Sequence, residues 1–293
     1  MFNASVCSYP SRGHWGNNKY RGNCSGFIVK DFIESFMRNK NGLVADPSVG
    51  GGTSEDVAKE LGVRFKGTDL HRGFNLLTDD FKTHLGEEAH LVWWHPPYWD
   101  MLQYSGKEWG EPNKWDMSRM DLPQFVESLE LAVMNIHDAC EKGGHYGILM
   151  GNLRRDGNYY NLSSLVERIA PGKLVDEIIK MQYNCVSDRR DYSGRLIRIA
   201  HEKLLVFRRD KAPSLVFLME THRRAMNMVA TTWKAAVRRV LQGKTMKLDE
   251  IYASMEPFAQ HRQNNHWQAK VRQVLQDERF FNRVETGVYA LAQ

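Results

Sequence analysis

Leu91-Val92-Trp93-Trp94-His95-Pro96-Pro97-Tyr98 reads as a hydrophobic strand that ends on two prolines and an aromatic ring. Consecutive prolines fix the backbone and leave the carbonyls before them without a local donor. Open α/β sheets bind ligands beyond the carboxyl ends of their strands, so the tetrapeptide His95–Tyr98 suits a planar substrate that carries an amine. A rigid exit turn is the simpler account of the tetrapeptide taken alone.

A second motif lies 49 residues upstream: Leu43-Val44-Ala45-Asp46-Pro47-Ser48-Val49-Gly50-Gly51-Gly52-Thr53, followed by a helical pattern. A strand ending in an acid, then a glycine turn, then a helix start lets a ligand approach the backbone and meet free N–H groups. Thr53 is the expected cap of that helix. A tight strand-to-helix connection would need no ligand, but the spacing to the second motif favours a cradle.

The two motifs together resemble those of the amino-group DNA methyltransferases, which use S-adenosylmethionine to modify adenine N6 or cytosine N4. That family carries Asp-Pro-Phe-x-Gly-x-Gly-Thr and Asp/Asn/Ser-Pro-Pro-Tyr/Phe/Trp. Ser48 and His95 depart from these patterns. The second departure matters more, because a histidine accepts a proton from an amine only through an unprotonated ring nitrogen.

The resemblance extends over roughly the first 210 residues and implies an α/β fold, a Rossmann-like seven-stranded methyltransferase sheet with helices on both faces. It implies S-adenosyl-L-methionine as cofactor, held by Asn23, Cys24, Asp46, Pro47, Ser48, Gly50, Gly52 and Thr53, with Asp69 at the ribose hydroxyls. His95, Pro96, Pro97 and Tyr98 are the implied catalytic set, with the flipped base stacked on Tyr98. Tyr20 to Gly26, leading into a helix over 27–37, resembles the segment beside the methionine end of the cofactor. The run 75–80 is expected on the adenine side. Further elements read as a strand over 64–68, helices over 122–140 and 162–170, and strands over 146–151, 174–184 and 201–207. The long segment 99–122, with Tyr104, Trp109 and Trp115, is a candidate cover for the base.

Composition shifts at Pro213, which divides the chain into a methyltransferase domain over 1–212 and a basic module over 213–293. From Lys211 onward there are 13 Lys+Arg against 7 Asp+Glu, or +6, while the whole chain is +5, so the first 210 residues sum to −1. Helical spacing over 215–241, 248–258 and a third helix capped by Asn264/Asn265, then a hairpin around Glu285-Thr286-Gly287, resembles a small C-terminal winged-helix domain. Arg262, Gln268 and Arg272 there, and Arg189 and Arg190 in the first domain, are the candidate DNA contacts.

With 42% hydrophobic residues among 293 the chain can bury a sizeable core. No signal peptide and no membrane-spanning run are read from it, and a cytoplasmic setting in a bacterial, phage or plasmid context is expected. Cys7, Cys24, Cys140 and Cys185 lack metal-ligand spacing and read as reduced thiols, so no metal is expected. DNA is the expected partner. The sequence leaves a homodimer and a restriction partner open. The order of motifs resembles the gamma arrangement of the family, which puts target recognition after Tyr98. Adenine N6 is favoured over cytosine N4 as acceptor; another amine, such as a glutamine of a translation factor, and a non-catalytic DNA-binding protein on a decayed fold are the alternatives.

Overall fold

The computed structural model describes residues 1–106, 111–183, 196–209, 233–261, 265–278 and 280–292. The chain divides into two compact units, Met1–Leu218 and Met219–Gln293. The boundary expected at 212/213 lies outside the described residues.

The first unit is built on seven strands: β1 (Val6–Ser8), β2 (Leu43–Asp46), β3 (Arg64–Gly67), β4 (Ala89–Trp94), β5 (Cys140–Gly151), β8 (Lys173–Met181) and β9 (His201–Arg208). They lie in the order β1-β8-β9-β5-β4-β2-β3. All neighbours pair in parallel except around β9, which runs antiparallel to both β5 and β8. A small hairpin, β6 (Leu153–Arg155) with β7 (Asn158–Tyr160), follows β5.

Helices cover both faces, as expected. α1 (Gly26–Phe36) and α2 (Thr53–Leu61) pack on one face; α3 (Phe81–Leu85), α4 (Leu122–Ala139) and α5 (Leu162–Ile169) pack on the other. The alternation along each strand decides which core a residue joins. Val44, Leu91 and Trp93 point toward α1 and α2, while Leu43, Ala45, Val92 and Trp94 point toward α4. β2 and β4 are buried along their whole length, which is why they read as continuous apolar runs rather than alternating ones. Fully buried side chains such as Phe32 and Phe125 contribute about 1.5–3 kcal/mol each.

From β2 the chain crosses to β3 on one side and then returns to β4 on the other. The crevice between the carboxyl ends of β2 and β4 is therefore the switch point of the sheet, where no crossover connection fills the space. Both sequence motifs end there.

The second unit contains α6 (Trp233–Val240), α7 (Leu248–His261) and α8 (Trp267–Leu275) with an antiparallel sheet of β10 (Met246–Lys247), β12 (Val288–Leu291) and β11 (Phe281–Glu285). Val237, Leu241, Ile251, Met255, Val271, Leu275 and Phe281 form its core. The expected asparagine cap of α8 is not found: Asn264 lies outside the described residues, and His266 precedes the helix with no side-chain capping bond. Among the described residues no helix is long and apolar enough to cross a membrane.

Candidate functional site

The turn after β2 is held by its own acid. Asp46 is buried; its Oδ1 accepts from the Ser48 amide at 2.9 Å and its Oδ2 from the Ser54 hydroxyl at 2.5 Å. Burial pushes this carboxyl up to about 7, against the lowering effect of those two bonds. Asp69, at the end of β3, accepts from the Gly50 amide at 3.0 Å and the His71 amide at 3.0 Å. The two acids thus pin the glycine turn from both sides.

Gly50 and Gly52 have φ of 47° and 82°, which only glycine adopts without strain. A side chain on Gly50 would also meet the Tyr20 ring at 2.9 Å, and one on Gly51 would meet the Asn23 amide at 2.7 Å. The glycines therefore admit the segment 20–24 onto the turn. Thr53 does not cap α2. Gly52 occupies the capping position without a side-chain bond, because its left-handed backbone already turns the chain into the helix.

A cleft of about 980 Å3, counting the part open to solvent, lies over the switch point, at the upper end of the range for ligand pockets. It is lined by Asn23, Cys24, Asp46, Pro47, Ser48, Gly50, Thr53, Asp69, His95 and Pro97 among the sequence-derived candidates. Gly52, Pro96 and Tyr98 stand outside the lining. Asn75, Leu76 and Leu77 line it as expected, whereas Asp79 accepts from the Asn75 amide and Asp80 caps α3.

Two hydroxyls test whether the cleft fits a polar cofactor. Ser48 Oγ and Thr53 Oγ1 are buried, belong to lining residues, and have no hydrogen-bond partner among the described residues. An orphaned hydroxyl costs free energy that a ligand bearing polar groups would recover. Asp46, Asp69, Ser48 and Thr53 together offer carboxylates for amines and ribose hydroxyls, while Phe74, Leu76 and Leu77 offer an apolar wall for an aromatic ring. The donor set fits S-adenosylmethionine.

At the end of β4, His95 is partly buried and Tyr98 buried. His95 Nε2 lies 2.9 Å from the Tyr98 hydroxyl, which donates to Glu202 Oε1 at 3.0 Å. Glu202 also accepts from Lys180 Nζ at 2.6 Å and from Gln182 Nε2 at 2.7 Å. Burial, the largest single influence, would raise the Glu202 carboxyl, but the Lys180 ammonium together with His95 and the bonds from Lys180 and Gln182 holds the group below the usual carboxylate range. Burial pushes His95 down to about 4, so its ring is neutral at ordinary pH.

The expected stacking face of Tyr98 is not offered to the cleft. A side chain on Gly151 would meet the Tyr98 ring at 2.4 Å, so the ring lies against the bare backbone of β5 and its hydroxyl is drawn to Glu202. Aromatic residues that do line the cleft include Tyr20, Phe74, Tyr104 and Trp115. Tyr104 stacks on Tyr20 at 6.1 Å, and Lys114 Nζ lies 4.9 Å from the Trp115 ring centroid.

The segment after the tetrapeptide has a polar core of its own. Asp116 accepts from Ser105 Oγ at 2.8 Å and Ser118 Oγ at 2.6 Å, all three residues being buried. Trp99 is held at φ 49°, a left-handed conformation that costs an L residue about 1–2 kcal/mol. Its indole donates to the Met120 carbonyl at 3.0 Å and keeps that conformation in place. Trp109 lies outside the described residues, as do Arg189, Arg190 and Arg262. In the second unit Arg272 is exposed on α8 and donates to the Tyr252 hydroxyl at 3.0 Å; Gln268 is half-buried.

Lys180, Gln182 and Glu202 are site residues that sequence reasoning missed. Lys180 and Glu202 are register partners across β8 and β9. Both strands carry further charges, Lys173, Asp176 and Glu177 on one and Lys203 and Arg208 on the other, so nothing in the sequence singled out this pair.

No protein-family model matches the chain, and no curated protein matches it. Among solved structures it is similar to TrmN from Thermus thermophilus, at 13% identity over 64% of this chain and 50% of that one, with a TM-score of 0.35. It is similar also to a second Thermus thermophilus protein, provisionally described as a DNA modification methylase and solved with S-adenosyl-L-methionine, at 17% identity over 58% and 56%, TM-score 0.32. A TehB-like SAM-dependent methyltransferase from Corynebacterium glutamicum gives 16% identity over 67% and 90%, TM-score 0.37. The chain spans about half the length of the first two. At such identities and scores these likenesses decide nothing about function, which is read from the site itself.

Proposed function

We propose that the protein is an S-adenosylmethionine-dependent methyltransferase acting on the exocyclic amine of a base in DNA. The observation that carries this reading is the junction of two halves in one cleft: buried, unsatisfied Ser48 and Thr53 hydroxyls beside Asp46, and a neutral His95 lining the same cleft. When bound, the cofactor supplies an electrophilic methyl group on a sulfonium.

Ser48, Thr53, Asp46 and Asn23 hold its polar amino-acid end, Asp69 the ribose hydroxyls, and Phe74, Leu76 and Leu77 the adenine. His95 accepts a hydrogen bond from the substrate amine, drawing electron density toward the nitrogen and orienting its lone pair. As the amine nitrogen gains a methyl it becomes a strong acid, so a ring as weakly basic as His95 can take the proton and pass it to water. Tyr104 and Trp115 are the rings available to stack the extruded base. Adenine N6 is favoured over cytosine N4, because serine at the first position of the catalytic tetrapeptide marks the cytosine branch of the resembled family and this chain has histidine.

The three helices and three-stranded sheet formed by the described residues of the second unit fit a winged-helix module. With the basic excess of the chain after Lys211, its role is to bind DNA phosphates, with Arg272 exposed on α8. Incubation with labelled S-adenosylmethionine and genomic DNA, followed by digestion to nucleosides, is the direct test. Label in N6-methyladenine is the expected result. Cofactor binding without DNA methylation would overturn the DNA substrate, and absence of cofactor binding would overturn the enzyme.

A further inference from the structure

His95 has two ring nitrogens, and only one can serve the substrate. The arrangement behind it decides which. Glu202 receives donors on both oxygens: Lys180 on Oε2, and Gln182 together with Tyr98 on Oε1. A carboxylate in that position only accepts, so the single proton of the Tyr98 phenol is committed to Glu202. The phenol oxygen then faces His95 Nε2 at 2.9 Å with nothing left to donate. A hydrogen bond across that gap requires the proton to sit on Nε2.

We propose that Tyr98 and Glu202 are positioning residues that hold His95 as its Nε2–H tautomer, leaving Nδ1 as a bare acceptor for the substrate. The inference deepens the methyltransferase reading above and rests on it for the identity of the substrate. Nδ1 has no partner among the described residues, and His95 lines the cleft. Burial keeps the ring neutral, so Nδ1 does not take up a proton at ordinary pH. The Lys180 ammonium is itself bound to the Glu202 carboxylate and fixes its charge.

The consequence is a choice of substrate group. A bare nitrogen lone pair binds an N–H donor and repels a carbonyl oxygen. The site is thereby matched to the amines of adenine and cytosine and set against guanine O6 and thymine O4. Removing the phenol would let the ring exchange tautomers, and the Nδ1–H form would present a donor to a donor.

The experiment is a long-range proton–nitrogen NMR correlation on the full chain labelled with 15N in its histidines, read at pH 7.5 without cofactor or DNA. His95→Gln assigns the resonances. Wild type is expected to show a pyridine-like Nδ1 and a protonated Nε2. Tyr98→Phe, which keeps the ring packed on Gly151, should move the two nitrogens toward averaged values. Glu202→Gln, whose amide can donate to the phenol, should turn the phenol proton onto Nε2 and shift the ring toward Nδ1–H. In turnover, Tyr98→Phe should lower kcat roughly tenfold, the worth of one lost hydrogen bond, with cofactor affinity unchanged.

An Nδ1–H tautomer in wild type overturns the proposal, as does an unchanged spectrum in Tyr98→Phe. The spectrum and the methylation assay fail separately. An Nε2–H ring in a protein that does not methylate DNA keeps the tautomer and refutes the function; DNA methylation by an Nδ1–H ring does the reverse.

Discussion

Lys180 and Glu202 face each other as register partners on β8 and β9, with Nζ 2.6 Å from Oε2 and both side chains about nine-tenths buried. A buried ion pair gains little over a well-packed apolar pair, because both charges must be stripped of water. Its presence beside the tetrapeptide His95–Tyr98 therefore calls for a reason beyond stability. The two other bonds of Glu202, to Gln182 and Tyr98, supply one: the pair anchors a charge at the back of the site.

Breaking the pair tests that view. Lys180→Met leaves Glu202 buried without its counter-charge and should destabilise the protein by about 3–5 kcal/mol. The double variant Lys180→Met/Glu202→Leu should recover most of that loss in denaturant titrations. It should not recover turnover, since Tyr98 has lost its acceptor. A double variant as active as wild type would reduce the pair to packing.

Asp46 gives a prediction in pH. Its carboxyl is pushed up to about 7 in the folded chain, against about 3.9 in an unfolded one. Between those values the folded state binds more protons than the unfolded state, so Asp46 favours folding at low pH and loses that contribution as pH rises through about 7. The stability of wild type relative to Asp46→Asn should accordingly fall from pH 5 to pH 8 in the absence of ligand. A cationic cofactor prefers the ionised form, so its affinity should rise over the same interval. Calorimetry in buffers of different ionisation enthalpy should detect proton release on binding near pH 6.5, and a binding constant flat from pH 5.5 to 8 would remove Asp46 from the cofactor site.

The two unsatisfied hydroxyls allow a cleaner test of the cradle than the glycines do. Gly50→Val would clash with Tyr20 and strain the backbone, and would report on the fold as much as on the ligand. Ser48→Ala and Thr53→Val remove only atoms that lack partners. Each should leave the melting temperature of the apo protein unchanged or slightly raised and weaken S-adenosylmethionine roughly five- to tenfold, the value of about 1–1.5 kcal/mol for one hydrogen bond. Equal affinity in both variants would mean that the hydroxyls face no ligand.

The elements carrying the two motifs were legible because each joins a buried apolar strand to residues with special backbone needs. Leu43–Asp46 runs into Gly50–Gly52, and Ala89–Trp94 into Pro96-Pro97. The edge strand Val6–Ser8 was not legible: three residues carry no period, and only pairing with β8 makes them a strand. The orientation of Tyr98 was hidden for a related reason. It is set by the missing side chain of Gly151 and by Glu202, 104 residues away in sequence. Thr53 misled because a threonine before a helix normally caps it, whereas here glycine had already made the turn. The loop 99–122 could be flagged by its length and aromatic content, but not its Asp116–Ser105–Ser118 brace, which needs three side chains to meet.

The basic tail predicts a dependence on salt. Truncation after Arg209 removes 13 Lys+Arg and 8 Asp+Glu, Asp210 included. Cofactor binding should persist, since every residue lining the cleft precedes that point. DNA binding should weaken and its salt slope should become shallower, because fewer counterions are released. Filter binding across a series of salt concentrations would give both quantities, and identical curves for the two proteins would assign the second unit another role.

His95 gives the last prediction. A ring pushed down to about 4 stays neutral from pH 5 upward, so its titration should leave no step in kcat near pH 6.5, where an ordinary histidine would leave one. Activity should fall only as pH drops toward 4, when protonation of Nδ1 abolishes the acceptor. His95→Ala should lose turnover by about a hundredfold, the lower end of the range for a positioned acid–base group, with cofactor affinity little changed. His95→Asn should restore part of it, because the amide oxygen supplies an acceptor that no pH change in this range removes; its kcat profile should stay level below pH 5 where that of wild type declines. The crossing of the two profiles is the decisive reading. Parallel profiles, or a His95→Ala variant that methylates at the parent rate, would leave the amine to be oriented by the backbone after Trp94 and would make His95 a tolerated residue rather than a catalytic one.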